Sequence, residues 1–327
     1  MSQVGLQPVV DGDLRPATLD RALALEVVRI TERAAIAAAA WRGKGDERRA
    51  DLAAVAAMED EMRIVNVDAR VVIGEMNGDL VYGAKLGTGK GPKIDLAVDP
   101  LEGSTGCAKN QPDAMSVMAV SSEGGLMHVP ECYMEKIAIG PGYPQGIVDL
   151  DRSPSDNIAA LAEAKGVPVS EIVACVLDRP RHSALIAELR GLGVAVKLLA
   201  DGDIAAVIHT VNTDETGIDI YLGSGGASEG VLAAAAMRCM DGQMQGRLIL
   251  DTSDKRARAR DMGIIDPDEK FGFERMASGD VLFAATGVTQ GSLLDGVRRT
   301  PKSIVTSSVV MRSWSHTSRW IRTEHRR

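Results

Sequence analysis

Residues 95–105, DLAVDPLEGST, bring an apolar run to a proline and then place acids and hydroxyls in one sharp turn. The run 93–100, KIDLAVDP, predicts a strand, and Pro100 ends it because proline has no N–H to give the ladder. Asp99, Glu102, Ser104 and Thr105 then crowd into the turn. Just upstream, ARVVIGE at 69–75 predicts another strand, ending on Glu75. Two strand ends thus each deliver acid side chains to a turn.

Helices flank this pair. Residues 20–41 carry Leu23, Val27, Ile30 and Ala34 on one face at helical spacing. After the break RGKGD, a second helix is predicted over 47–63, with Asp51, Val55, Met58 and Met62 in one stripe. A carboxylate on a core-facing stripe needs a partner, which singles out Asp51. Beyond a loop-rich middle containing GPGYPQG, strands at 171–177, 193–199 and 217–222 alternate with helices at 182–190, 203–210 and 228–240. That alternation predicts a parallel sheet with right-handed crossovers. The runs SIVTSSVVM and SRWIRTEH predict a closing hairpin. The expected architecture is α/β with two packed lobes, a metal-binding lobe over 1–165 and a substrate-binding lobe over 166–327.

Composition narrows the function. The longest stretch without a charged residue, 281–294, is 14 residues and is interrupted by Gly287 and Gly291, too short and broken for a membrane-spanning helix. No basic segment followed by an apolar core opens the chain, so a cytoplasmic location is expected. Cys107, Cys132, Cys175 and Cys239 form no C-x-x-C pair, which argues against a disulfide scaffold or a thiolate zinc site. A net charge of −8 and only three Trp, four Tyr and three Phe argue against nucleic acid as a partner.

Five acids stand out together: Asp51, Glu75, Asp99, Glu102 and Glu229. Hard cations such as magnesium or manganese prefer carboxylate oxygens, and acids that converge repel one another unless cations lie between them. The five histidines show no H-E-x-x-H or H-x-x-x-H pattern. In the second half, VACVLDRPRH places Arg179, Arg181 and His182 at a strand end, suited to an anion. The next loop, ADGD, offers Asp201 and Asp203 to sugar hydroxyls. GSGGASEG at 223–230 is neither a dinucleotide fingerprint nor a P-loop, and is expected to allow close approach of backbone or substrate.

The motifs GKGDERRAD, VVIGE, DLAVDPLEGST, YMEK, DRPRH, DGD, GASEG, AMRC and FAATGVTQGSLLDGVR occur in one order along nearly the whole chain. In this the sequence resembles the class II fructose-1,6-bisphosphatases of bacteria, including the dual fructose/sedoheptulose bisphosphatases. The D-P-x-[DE]-G-[ST] element alone is shared with the inositol monophosphatase-like enzymes, and the later motifs narrow the likeness. The resemblance implies a layered sugar-phosphatase fold with magnesium or manganese held by Asp51, Glu75, Asp99, Glu102 and Glu229. It implies that Ser104, where the family usually has threonine, orients the attacking water, with Asp99 and Glu102 beside it. It assigns Tyr133, Arg179, Arg181, Asp201 and Asp203 to the sugar bisphosphate, and suggests a homo-oligomer, dimer or tetramer. The segment after Glu75, MNGDLVYG, is shorter than the family's acidic loop and leaves Asn77 and Asp79 as its polar groups. Two other assignments fit the same residues: an inositol-phosphate-type phosphatase, and a catalytically weakened sugar-phosphate-binding regulator.

Overall fold

One parallel strand pair sets the frame. In the computed structural model, which describes residues 19–76 and 78–326, strand Asp68–Ile73 lies parallel to strand Lys93–Glu102, with Ile73 opposite Ala97. Both strands therefore end at the same edge of the sheet, which is what brings Glu75 toward Asp99. Strand Lys93–Glu102 is buried along almost its whole length, as a central strand covered on both faces should be. Antiparallel strands Met115–Ser122, Val281–Gly287 and Ser303–Arg312 extend the sheet to one side. The predicted hairpin forms, with Thr317–Arg326 pairing along Ser303–Arg312, and among the described residues the sheet holds eight strands.

The second sheet has six strands. Val173–Leu177, Ala195–Leu199 and Ile220–Gly226 are mutually parallel, as the strand–helix alternation predicts. The sheet is mixed as a whole, because Tyr133–Ile139 runs antiparallel between Ile220–Gly226 and Gln243–Ile249. Its pattern is masked in the sequence: Glu135 and Lys136 interrupt the apolar residues, so the segment reads as loop. Sheet membership also does not divide at 165. Tyr133–Ile139 already belongs to the second sheet, and the chain from Val281 onward returns to the first.

Helices fill three layers around the two sheets. Leu23–Ala39 and Glu47–Met62 bury their apolar stripes on the outer face of the first sheet. Pro154–Lys165 and Ser183–Gly191 cover the outer face of the second. Asp203–His209 and Ala227–Cys239 are enclosed between the sheets in the largest core cluster. A helix with sheet on both sides must be apolar all round, and the stretch from Gly230 to Met237 is, with Ala233–Ala236 all buried. Small residues there let two sheets approach one thin layer. Among the described residues, no helix is long and apolar enough to cross a membrane.

Candidate active site

A bulge makes the acidic pair. Strand Lys93–Glu102 keeps register with its neighbour up to Asp99 opposite Val117, then resumes at Glu102 opposite Met115. Three residues on one strand thus span two on the other. Residues three apart on a regular strand point to opposite faces, and the extra residue returns Asp99 and Glu102 to the same side. Asp99 Oδ1 accepts the Leu101 N–H at 3.1 Å, which steadies the turn after Pro100. Gly103, at φ +78°, turns the chain into helix Ser104–Lys109, so Ser104 follows the acids as the first helical residue.

Glu229 comes from the middle layer, in the first turn of helix Ala227–Cys239. Its carboxylate folds back against Gly226, where a Cβ would lie 1.9 Å from Glu229 Oε2, so this close approach requires the glycine. Carboxylate oxygens of Asp99, Glu102 and Glu229 all lie within 4.8 Å of one another. Asp51, from the second helix, and Glu75, just past the end of its strand, line the same cavity of about 540 Å³ as Asp99 and Glu229. The five acids named from sequence therefore converge on one place, from two strand ends and two helices.

Their protonation is pushed the same way throughout. Burial, and then the charges of Asp99, Asp51 and Glu229, raise Glu75 to about 8. Burial foremost, with the Glu229 and Asp51 carboxylates adding, raises Asp99 to about 7. Glu102 is held well above the usual carboxylate range by burial and by Asp99. Glu229 is raised by burial and by Asp203, and Asp51 by burial. Among the described residues, none of the five forms an ion pair with a Lys or Arg. Lys255 lines the same cavity, but its ammonium bonds Asp251 at 2.7 Å. A converging set of oxygen donors with raised proton affinity and, among the described residues, no direct ion pair fits a hard divalent cation.

Arginines and a tyrosine border this cluster. Tyr133 sits opposite Gly226 in the second sheet and lines the acidic cavity. The Arg181 guanidinium stacks over the Tyr133 ring, 4.8 Å from its centroid, and donates to the Ser224 carbonyl at 2.7 Å. Arg179 bonds Asp201 at 3.2 Å, so these two residues form a pair at the mouth of the second sheet. Asp203 differs from the open acceptor that the sequence suggests: it is buried, and its carboxylate receives the ammonium of Lys136. His182 is also committed internally. Its Nδ1 meets the Leu177 carbonyl at 2.8 Å and its Nε2 accepts the Ser224 N–H at 2.9 Å, which leaves it bracing the arginine loop with no nitrogen for an anion.

Sequence reasoning passed over Lys136, which is 1% exposed and also donates to the Gly226 carbonyl at 2.8 Å. The signal was period-two alternation in YMEKIAI, which puts Lys136 on the same side as buried Met134 and Ala138. Of the polar groups after Glu75, Asp79 is bound to Arg63 at 2.9 Å, and Asn77 lies outside the described residues. Cys132 lines the acidic cavity, but burial pushes its thiol up to about 11, so it is no thiolate nucleophile at neutral pH.

Residues 21–325 match the family model described as bacterial fructose-1,6-bisphosphatase, glpX-encoded. Similar curated proteins include a D-fructose 1,6-bisphosphatase class 2/sedoheptulose 1,7-bisphosphatase of Trichodesmium erythraeum, 40% identical over 94% of this chain and 97% of that protein. A fructose-1,6-bisphosphatase 1 class 2 of Escherichia coli is 42% identical over 93% of this chain and 95% of its own length. With the site's geometry in place and nearly the whole length matched, the chain belongs to the glpX-encoded bacterial fructose-1,6-bisphosphatase family.

Proposed function

We propose that this protein hydrolyses the 1-phosphate of fructose 1,6-bisphosphate to fructose 6-phosphate and phosphate, with sedoheptulose 1,7-bisphosphate as a second substrate. The carrying observation is the meeting of Asp99, Glu102 and Glu229 oxygens within 4.8 Å beside a cavity that Tyr133 also lines. Asp51, Glu75, Asp99, Glu102 and Glu229 would hold magnesium or manganese, which would supply positive charge against the phosphoryl oxygens. The chain's own groups do the rest. Ser104, two residues after Glu102 in sequence, holds the attacking water through its Oγ. The water oxygen bonds to phosphorus as the water gives up one proton, the bond from phosphorus to the sugar oxygen breaks, and that oxygen takes up a proton and leaves as the alcohol. Arg181, braced on Tyr133 and Ser224, holds the second phosphate, and Arg179 with Asp201 borders the sugar. Asp203 serves the sugar end through its place beside Lys136, by fixing the loop rather than as a free acceptor.

On this proposal the metal-binding groups belong mainly to the first sheet and the substrate-binding groups to the second, a division of labour by layer. We place the protein in the cytoplasm, where four free cysteines suit a reducing compartment. We also assign it a homo-oligomeric state, dimer or tetramer. The support is the outer edge of strand Thr317–Arg326, unpaired among the described residues, on which Trp320 is 56% exposed.

The test is phosphate release from fructose 1,6-bisphosphate, sedoheptulose 1,7-bisphosphate and inositol 1-phosphate, with magnesium, with manganese and with chelator. Metal-dependent release from the bisphosphates is expected. Release from inositol 1-phosphate alone would move the protein to the monophosphatases, and no release under either metal would leave a binding role.

A further inference from the structure

A second cleft, of about 650 Å³, lies over strand Ser303–Arg312. Arg42, Arg298, Arg299 and Arg322 line it, with Asp295 as the one acid among its lining residues. Strand pairing explains how they gather. Arg298 and Arg299 pair with Val305 and Ile304 from one side, and Arg322 pairs with Ser307 from the other. Arg42 reaches in from the turn that follows helix Leu23–Ala39.

The charge is unusual for this molecule. The chain as a whole carries −8, yet this cleft collects four guanidinium groups. The sequence offers a bland account of Arg319, Arg322 and Arg326 as the solvated end of a hairpin, with Arg327 outside the described residues. For Arg322 the structure gives another context. Among the described residues, Arg298, Arg299 and Arg322 form no ion pair and no side-chain hydrogen bond, so their forks remain available. Asp295 is engaged by the Gln290 amide at 2.8 Å. Ala39, Val297 and Val305 supply an apolar floor.

We propose that this cleft is a second ligand site, separate from the acidic cluster, for a phosphorylated small metabolite. Guanidinium forks match phosphate oxygens two at a time, and four of them against one acid suit a ligand carrying two or more negative charges. The cavity volume is that of an ordinary small-molecule pocket, and the apolar floor accepts the less polar part of such a ligand.

The site also touches the catalytic machinery through backbone. Arg42 donates to the Val288 and Val297 carbonyls at 3.3 and 3.1 Å. One residue on, the Gly43 N–H donates to the Cys107 carbonyl at 3.0 Å, and the Gly45 N–H to the Ala108 carbonyl at 2.9 Å. Those carbonyls end the short helix that Ser104 opens. A ligand gripping Arg42 therefore tightens the turn that holds this helix, and the site is regulatory.

Calorimetric titration of the metal-free full-length protein with inorganic pyrophosphate, and with citrate as a carboxylate of comparable charge, tests this. Arg179→Gln/Arg181→Gln, which weakens the catalytic cleft, is expected to keep pyrophosphate binding. Arg298→Gln/Arg322→Gln, at exposed positions, is expected to melt as the parent does and to weaken binding about tenfold or more. Hydrogen exchange at residues 104–109 is expected to slow when pyrophosphate binds. Loss of binding only in the Arg179/Arg181 variant, or no binding by the parent, overturns the site. Equal binding of citrate overturns the phosphate assignment, and unchanged exchange overturns the coupling.

Discussion

Two groups of buried carboxylates lie side by side in the middle of this molecule and are treated in opposite ways. Asp203 is neutralised from within by Lys136, itself 1% exposed and further held by the Gly226 carbonyl. Asp99, Glu102 and Glu229, with oxygens within 4.8 Å of one another, receive no such partner among the described residues. On the function proposed above, a fold that pairs a lysine directly with one acid and with none of three neighbours separates a structural charge from a set available to a cation. Burial foremost, with mutual repulsion adding, raises the proton affinities of the cluster.

Removing Lys136 should give the largest effect. Lys136→Met leaves Asp203 buried without its partner and is expected to destabilise by about 3–5 kcal/mol, measured by denaturant unfolding. A loss below about 1 kcal/mol would show that the pair is not the internal counter-charge described here. Next comes the cluster. Glu102→Gln is expected to lower kcat by roughly 10²–10³-fold while raising the melting temperature of the metal-free protein, because one repelling charge is gone. A variant that loses both activity and stability would make Glu102 a structural residue like Asp203.

The third expectation concerns pH. Glu75 at about 8 and Asp99 at about 7 stand above their unfolded values of 4.5 and 3.8, so the folded chain binds more protons than the unfolded one between those limits. The metal-free protein should therefore lose stability as pH rises from about 4 to 8, and excess magnesium should flatten that slope. An identical slope with and without the metal would break the link between the raised carboxylates and cation binding. The smallest effect is at the border. Arg181→Ala is expected to raise KM for the bisphosphate about tenfold with little change in kcat, as loss of a binding contact should. A fall in kcat alone would place Arg181 at the reacting phosphate instead.

Much of the site was legible as residue types at element ends. Glu75 after VVI, Asp99 before Pro100 and Glu229 after the glycine run each mark a place where a strand or helix meets a turn. Asp51 was legible because its helical stripe is otherwise apolar. The antiparallel strands Tyr133–Ile139 and Gln243–Ile249 were not, since charged and polar residues stand among their apolar ones. Lys136 and the internal bonding of His182 were hidden for a related reason. A buried polar residue is recognised by its partner, and the partners Asp203, Leu177 and Ser224 come from other segments.

By itself the sequence determined most of the elements around the site and which carboxylates stand at their ends. Those follow from local periodicity and residue type. Only the tertiary structure decided that Asp99 and Glu102 share one side, because that depends on an extra residue in the pairing register. It alone decided which acid receives a lysine, and that four arginines from separate segments surround one cleft. Local patterns set where side chains stand along an element; what faces them is fixed by contacts between residues far apart in the chain.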